Sequence, residues 1–93
     1  MSALENIFEV KKPWGKFIQY TDNEKVTVKI IEVKKGGLLS LQSHEKRDEM
    51  WVALDSGLTA EIGEKKKKLA VGKPIFIPRK TKHRLSATKT GRV

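Results

Sequence analysis

Leu39-Ser40-Leu41-Gln42-Ser43-His44-Glu45-Lys46-Arg47-Asp48-Glu49-Met50-Trp51 is the stretch on which the reading of this chain turns. Residues 39 to 44 alternate apolar and polar, the period of a strand buried on one face. Alternate side chains of a strand share a face, so Gln42 and His44 point one way while Leu41 and Ser43 point the other. Glu45 to Asp48 read as a polar hairpin, and Glu49 opens the next apolar strand. An antiparallel return sets Glu49 beside Gln42 and His44, so three nitrogen or oxygen donors converge from one hairpin. The only other histidine, His83, follows Pro78 and a basic turn and begins a further strand. Arriving from across a barrel, it would supply a fourth donor. Two imidazoles, a carboxylate and an amide oxygen suit one divalent ion: zinc first, with manganese, nickel, iron or cobalt as alternatives. The plainer alternative for either histidine is a satisfied polar group on a half-apolar strand.

Outward from this stretch the period stays at two. Phe8 and Val10, then Phe17, Ile18 and Tyr20, form short runs. Val26, Val28 and Ile30 alternate with Thr27, Lys29 and Ile31, which predicts a strand burying the first set. Met50 to Leu54, Leu58 to Ile62, Leu69 to Val71, Ile75 to Ile77 and His83 to Leu85 follow. Turn signals separate them at Thr21-Asp22-Asn23, Lys35-Gly36-Gly37, Asp55-Ser56-Gly57, Gly63-Glu64 and Pro78 to Lys82. Many short strands without a helical period predict an all-β sandwich or barrel in a single domain.

Ninety-three residues leave room for one core, and a 38% hydrophobic content keeps that core thin. The chain has no cysteine, which excludes disulfides, thiolate metal sites and cysteine nucleophiles. No apolar run approaches the roughly 20 residues of a membrane helix, and the first ten residues lack the pattern of a signal peptide. A cytoplasmic protein is expected. The net charge of +9 attracts anions such as a phosphorylated metabolite, nucleic acid or acidic lipid. Nucleic acid is not expected as the partner, because no basic patch interleaved with aromatics accompanies the charge. Lys65 to Lys68 read as a solvated turn and flanking strand. Met50, Val52 and Leu54 lie on the face opposite the ligands and call for cover, which predicts a homodimer.

These residues resemble the cupin superfamily and, more narrowly, the type II mannose-6-phosphate isomerase cupin. That module is also the C-terminal part of mannose-1-phosphate guanylyltransferases. The first cupin motif is matched by Gly36, Gln42, His44, Glu49 and Gly57, with Gln42 in place of its first histidine and Gly57 one residue late. The narrower run is matched by Leu39, Ser40, Leu41, Gln42, His44, Arg47, Glu49 and Trp51, with Lys12-Pro13-Trp14-Gly15 upstream. The second motif is matched by Gly72, Pro78 and His83. Lys80 stands there in place of a glycine, and at a positive-φ turn that costs on the order of 1 kcal/mol.

The resemblance implies a small cupin, a jelly-roll β-barrel over residues 1 to 93, apparently lacking the family's C-terminal strand and tail. It implies metal held by Gln42, His44, Glu49 and His83, and a sugar phosphate as the small-molecule partner. The activity it implies is metal-dependent interconversion of mannose 6-phosphate and fructose 6-phosphate through an enediol. Arg47 is then the residue expected against the phosphate or an enediolate oxygen, or else a solvated hairpin tip. The general base stays open among Asp48, Glu45 and Lys12. Lys12, Arg79, Lys82 and Arg84 are a possible anion-attracting rim or ordinary surface. Trp14 and Trp51 read as packing or sugar-stacking groups, with Trp51 assigned to packing. The alternative function is a metal- or sugar-binding cupin module that does not catalyse.

Overall fold

A computed structural model describes residues 7–21 and 26–93, and within these there is no helix. No helix is therefore long and apolar enough to cross a membrane among the described residues. The chain forms β1 (Phe8–Lys12), β2 (Gly15–Gln19), β3 (Lys29–Val33), β4 (Glu49–Val52), β5 (Leu58–Ile62), β6 (Lys65–Lys68), β7 (Pro74–Ile77), β8 (His83–Ala87) and β9 (Gly91–Arg92). β1-β2-β3-β9 make one sheet, β6-β5-β8 make a second, and β4 pairs with β7. Leu54 N–H donates to the Arg92 carbonyl (2.8 Å), which carries β4 onto the β9 edge of the first sheet. The two faces enclose a core whose fully buried side chains include Val33, Leu58, Ile77 and Leu85. Burying each such side chain contributes roughly 1.5–3 kcal/mol.

The strands predicted from period-two runs are found, with three shifts. The first concerns β3, whose core face carries Ile31 and Val33; Val26 and Val28 are exposed. The register explains it, because Gly15, Phe17 and Gln19 stand opposite Val33, Ile31 and Lys29 and put the odd-numbered residues inward. Second, Leu69 to Val71 is not a strand. Leu69 donates to Leu58 as the last rung beside β5, and Val71 then bridges Ala53 on the other sheet. Third, residues 39 to 44 lie along β8 through isolated bridges rather than as a regular strand. Of the predicted turn at Thr21-Asp22-Asn23, Asp22 and Asn23 lie outside the described residues.

That third shift is a bulge. Leu38 stands opposite Ser86 and Leu39 bonds to Leu85, yet Gln42 rather than Leu41 stands opposite His83. One extra residue has entered between Leu39 and Gln42, and a one-residue offset exchanges the faces of a strand. Leu39 packs on the core, Leu41 is turned out to solvent, and Gln42 joins the face of His83.

Two backbone sites show what the connections demand. At Gly15 a Cβ would fall 1.8 Å from the Glu32 carbonyl oxygen, so only glycine lets β2 approach β3 there. Lys80 adopts φ 68° in the turn between β7 and β8, the position expected to want glycine. Its N–H donates to the His44 carbonyl (2.6 Å), which holds the turn against the 42–49 segment despite the strain. Asp48 reinforces the same junction, accepting from Arg79 N–H (2.9 Å) and from its guanidinium (3.2 and 3.3 Å). β6, the all-lysine strand, is an exposed edge, where repelling charge discourages pairing with other chains. Met50 and Phe76 stand opposite each other on the outer face of the β4–β7 pair and are exposed.

Replacing Lys80 with glycine should raise stability by about 0.5–1 kcal/mol, read as a higher urea midpoint at unchanged slope. Asp55 yields a pH prediction. Its carboxylate accepts from the Arg92 N–H (3.0 Å) and guanidinium (2.8 and 3.2 Å), which hold it below the usual carboxylate range. A depressed acid stabilises the fold above the ordinary Asp value of about 3.9 and loses that contribution as pH falls through its folded value. Asp55→Asn should therefore be less stable than the parent at pH 7, with the two chains converging at strongly acid pH.

Candidate metal centre

The site is built from two arms. The 42–49 segment brings Gln42, His44, Arg47 and Glu49, and the start of β8 brings His83. Gln42 and His83 exchange both main-chain hydrogen bonds, 3.0 and 2.8 Å, so their side chains stand on one face. His83 is 4% exposed. Its Nδ1 lies 2.9 Å from the Thr81 carbonyl oxygen, which can only accept, so Nδ1 carries the proton and Nε2 presents a lone pair. The ring edge meets Trp51, with centroids 5.5 Å apart at 79°.

Glu49 has its two oxygens assigned to different partners. Oε1 accepts from Trp51 Nε1–H (2.9 Å), a contact that the shared face of residues 49 and 51 makes available. Oε2 lies 2.8 Å from His44 Nε2, 3.6 Å from His83 Nε2 and 3.5 Å from Arg47 Nη2. Arg47 Nη2 is also 3.0 Å from His44 Nε2. Burial, and after it the charge of Arg47, lower the pKa of His44 from its ordinary value and favour the neutral ring. One imidazole nitrogen cannot accept from Arg47 and donate to Glu49 at once. A cation at the point where His44 Nε2, Glu49 Oε2 and His83 Nε2 face would remove the conflict, because these three atoms can all then act as donors of electron pairs.

The donor set passes a geometric test. His44, Glu49 and His83 each offer a ligand atom, and all three lie within 4.8 Å of one another. Neighbouring ligands about 2.1 Å from a metal stand roughly 3.0–3.4 Å apart, close to the two nitrogen–oxygen distances above. Gln42, directly opposite His83, lines the same cavity and adds an amide oxygen on that face. The cavity measures about 750 Å³, and Lys29, Ile31, Gln42, Glu49, Trp51 and His83 are among its walls.

Of the rim residues expected from sequence, only Arg84 lines the cavity. Arg79 is taken by Asp48, whose carboxyl it holds below the usual range. Arg84 is taken by Glu61 across β5, and neither Lys12, Lys82 nor Glu45 lines the cavity. Trp14 packs on the core, as Trp51 does. Lys29 was missed. Its Nζ sits 4.8 Å from the centre of the Phe17 ring, and burial, with the charge of Arg47 next, lowers its pKa. The signal was present: Lys29 shares the parity of Ile31 and Val33, and phasing β3 on those residues turns it inward.

Comparison with known proteins follows from this geometry. A family described as "Mannose-6-phosphate isomerase C-terminal" matches residues 2–93. Mannose-1-phosphate guanylyltransferase 2 of Escherichia coli O157:H7 is 40% identical over 70 residues, covering 75% of this chain and 14% of that protein. The alginate biosynthesis protein AlgA of Pseudomonas aeruginosa is 33% identical over 85 residues, covering 91% of this chain and 18% of that protein. The Drosophila melanogaster CENP-C cupin domain superposes with a TM-score of 0.78 at 16% identity, over 99% of this chain and 78% of that one. The chain thus spans under a fifth of the curated relatives it matches.

These findings overturn the expected isomerisation of mannose 6-phosphate. The relatives are named for guanylyl transfer and alginate biosynthesis, and the matching stretch is a small share of each. The chain belongs to the family described as mannose-6-phosphate isomerase C-terminal, and its fold is that of a cupin.

Proposed function

We propose that this chain is a non-catalytic cupin module that binds one divalent cation and, beside it, a sugar phosphate. The convergence of His44 Nε2, His83 Nε2 and Glu49 Oε2 on one point carries the reading. Gln42 completes the ligand set through its amide oxygen. Zinc is the preferred ion, because two imidazoles and a carboxylate form a common zinc donor set, and manganese, nickel, iron or cobalt fit the same donors. When bound, the cation supplies a Lewis-acidic charge for an anionic or hydroxyl ligand.

The chain's own residues do the rest. Thr81 fixes the tautomer of His83, and Trp51 orients the Glu49 carboxylate. Arg47, half exposed beside these donors, contacts the phosphate as a fork of N–H groups. Lys29 adds a second positive charge on the wall, and a cavity of about 750 Å³ is large enough for a hexose phosphate. Catalysis would require a free acid or base near the sugar carbons. Asp48 is engaged by Arg79, whose hydrogen bonds lower its pKa and so weaken it as a base.

Metal content measured after purification with zinc should be one ion per chain, and His83→Ala should abolish it. Trp51→Phe, which keeps the packing and removes the N–H, should weaken metal affinity about 10–100-fold. Chain that folds, binds no metal under any of the five ions and is unaffected by a chelator would refute the assignment. For the second ligand, calorimetry with mannose 1-phosphate is compared with uncharged mannose. Arg47→Ala should retain the metal and lose roughly 10–100-fold in affinity for the phosphorylated sugar. Equal binding of both sugars, or turnover of mannose 1-phosphate by the intact chain, would defeat the reading.

A further inference from the structure

The sheet that carries His83 ends on its most basic strand. All four residues of β6, Lys65 to Lys68, are exposed, and no described strand lies on its outer side. Hydrogen-bond alternation fixes which of its main-chain groups are free. Leu69 N–H donates to the Leu58 carbonyl (2.9 Å), so residues 65, 67 and 69 bond towards β5. Thr88 N–H donates to the Gly57 carbonyl (2.9 Å) and Gly63 N–H to the Lys82 carbonyl (2.8 Å). Odd-numbered residues of β5 therefore bond towards β8, which leaves its even-numbered ones for β6. The two alternations agree. Lys66 and Lys68 each point an N–H and a C=O out of the sheet, at the spacing that one further antiparallel strand requires.

The side chains set the sign of what that strand must carry. Lys66 and Lys68 stand on the outer face, opposite Glu61 and Thr59, while Lys65 and Lys67 stand on the other, opposite Ile62 and Ala60. Among the described residues the four lysines make one ion pair, Lys66 Nζ to Glu61 (3.5 Å), and Glu61 is also held by Arg84. The rows through Lys67 and Lys68 continue as Ala60-Leu85 and Thr59-Ser86, which carry no charge. A second copy of β6 laid along this edge would set lysine against lysine at each rung, and like charges directly opposite destabilise a ladder. A strand with acids at those rungs reverses the sign, and each opposed pair raises affinity about 1.5- to 5-fold. No proline, glycine or bulge interrupts the edge.

We infer that β6 binds an extended acidic peptide segment as a further antiparallel strand, with acids opposite Lys66, Lys67 and Lys68. The residues opposite Lys66 and Lys68 supply the main-chain rungs, and the one between them supplies only its side chain, to Lys67. A polyanion without a peptide backbone meets the same charges but leaves those N–H and C=O groups unpaired. Nor does the outer face offer a nucleic-acid strand the aromatic groups on which bases stack. Its residues across the three strands are Lys66, Lys68, Thr59, Glu61, Arg84 and Ser86.

The test titrates a blocked Val-Glu-Glu-Glu-Val peptide into the intact 93-residue chain at low salt and follows backbone amides by NMR. The amide protons of Lys66 and Lys68 should move downfield and exchange more slowly, saturably, while those of Lys65 and Lys67 keep their bonds to β5. Methylating the peptide nitrogens of the first and third glutamates keeps the charge and removes the donors, so affinity should fall at least fivefold. Lys67→Glu combined with Lys68→Glu should weaken the glutamate peptide roughly tenfold and favour Val-Lys-Lys-Lys-Val, with the amide spectrum elsewhere unchanged. The inference fails if the N-methylated peptide, or one with glutamine for glutamate, binds as tightly. It fails too if an oligothymidylate of equal charge binds more tightly than the peptide, which would mark a general polyanion surface. Protection of Lys66 and Lys68 that rises with protein concentration alone would also overturn it, because copies would then pair through this edge.

Discussion

The pair of main-chain hydrogen bonds between Gln42 and His83 is the constraint on which the site depends. Because one extra residue precedes it, the pairing that would have joined Leu41 to His83 joins Gln42 instead. A bulge of this kind sacrifices a rung of the ladder and re-aims the side chains beyond it. Everything on the 42–49 arm inherits the new direction. The arm is then stapled a second and third time, by Lys80 donating to the His44 carbonyl and by Asp48 clasping Arg79. These contacts join the hairpin to the turn that launches His83. The two arms therefore hold their spacing without a bound ion, and a positive φ at Lys80 is tolerated because the surrounding bonds over-determine the turn.

The electrostatics of the centre follow from how its acids are distributed. Asp48, Asp55 and Glu61 are each held by an arginine, and all three are depressed by those contacts. Glu49 is different. One of its oxygens is fixed by an uncharged indole N–H, and the other faces two imidazole nitrogens and the tip of Arg47. Lone pairs crowded at such distances repel unless a proton or cation sits among them, and His44, Glu49 and His83 form a group that could hold a metal ion. The positive charges of Lys29 and Arg47 then set the sign of any second ligand.

The charge of +9 looks like a functional signal, yet much of it does architectural work. The four lysines of β6 form an exposed edge whose repulsion discourages pairing with other chains.

Much of the fold was readable from period and turn residues, since strands of four or five residues with apolar alternation have few alternatives to a barrel. Part of the donor cluster was readable too: Gln42, His44, Glu49 and His83 were named from residue type and spacing, and the structure groups His44, Glu49 and His83 as a set that could hold a metal ion. What the sequence could not carry was phase. Alternation identifies two faces but not which is inward, so β3 was read one residue out, burying Val26 and Val28 on paper and hiding Lys29. Nor could it reveal the bulge, because an inserted residue leaves the local pattern of Leu39 to His44 unchanged and exists only relative to β8. Which arginines were spent on acids, and which was left at the site, likewise depended on partners 23 to 37 residues away in the chain. Residue chemistry was local and therefore legible, whereas register and pairing belong to the contacts between distant strands and only the tertiary structure decided them.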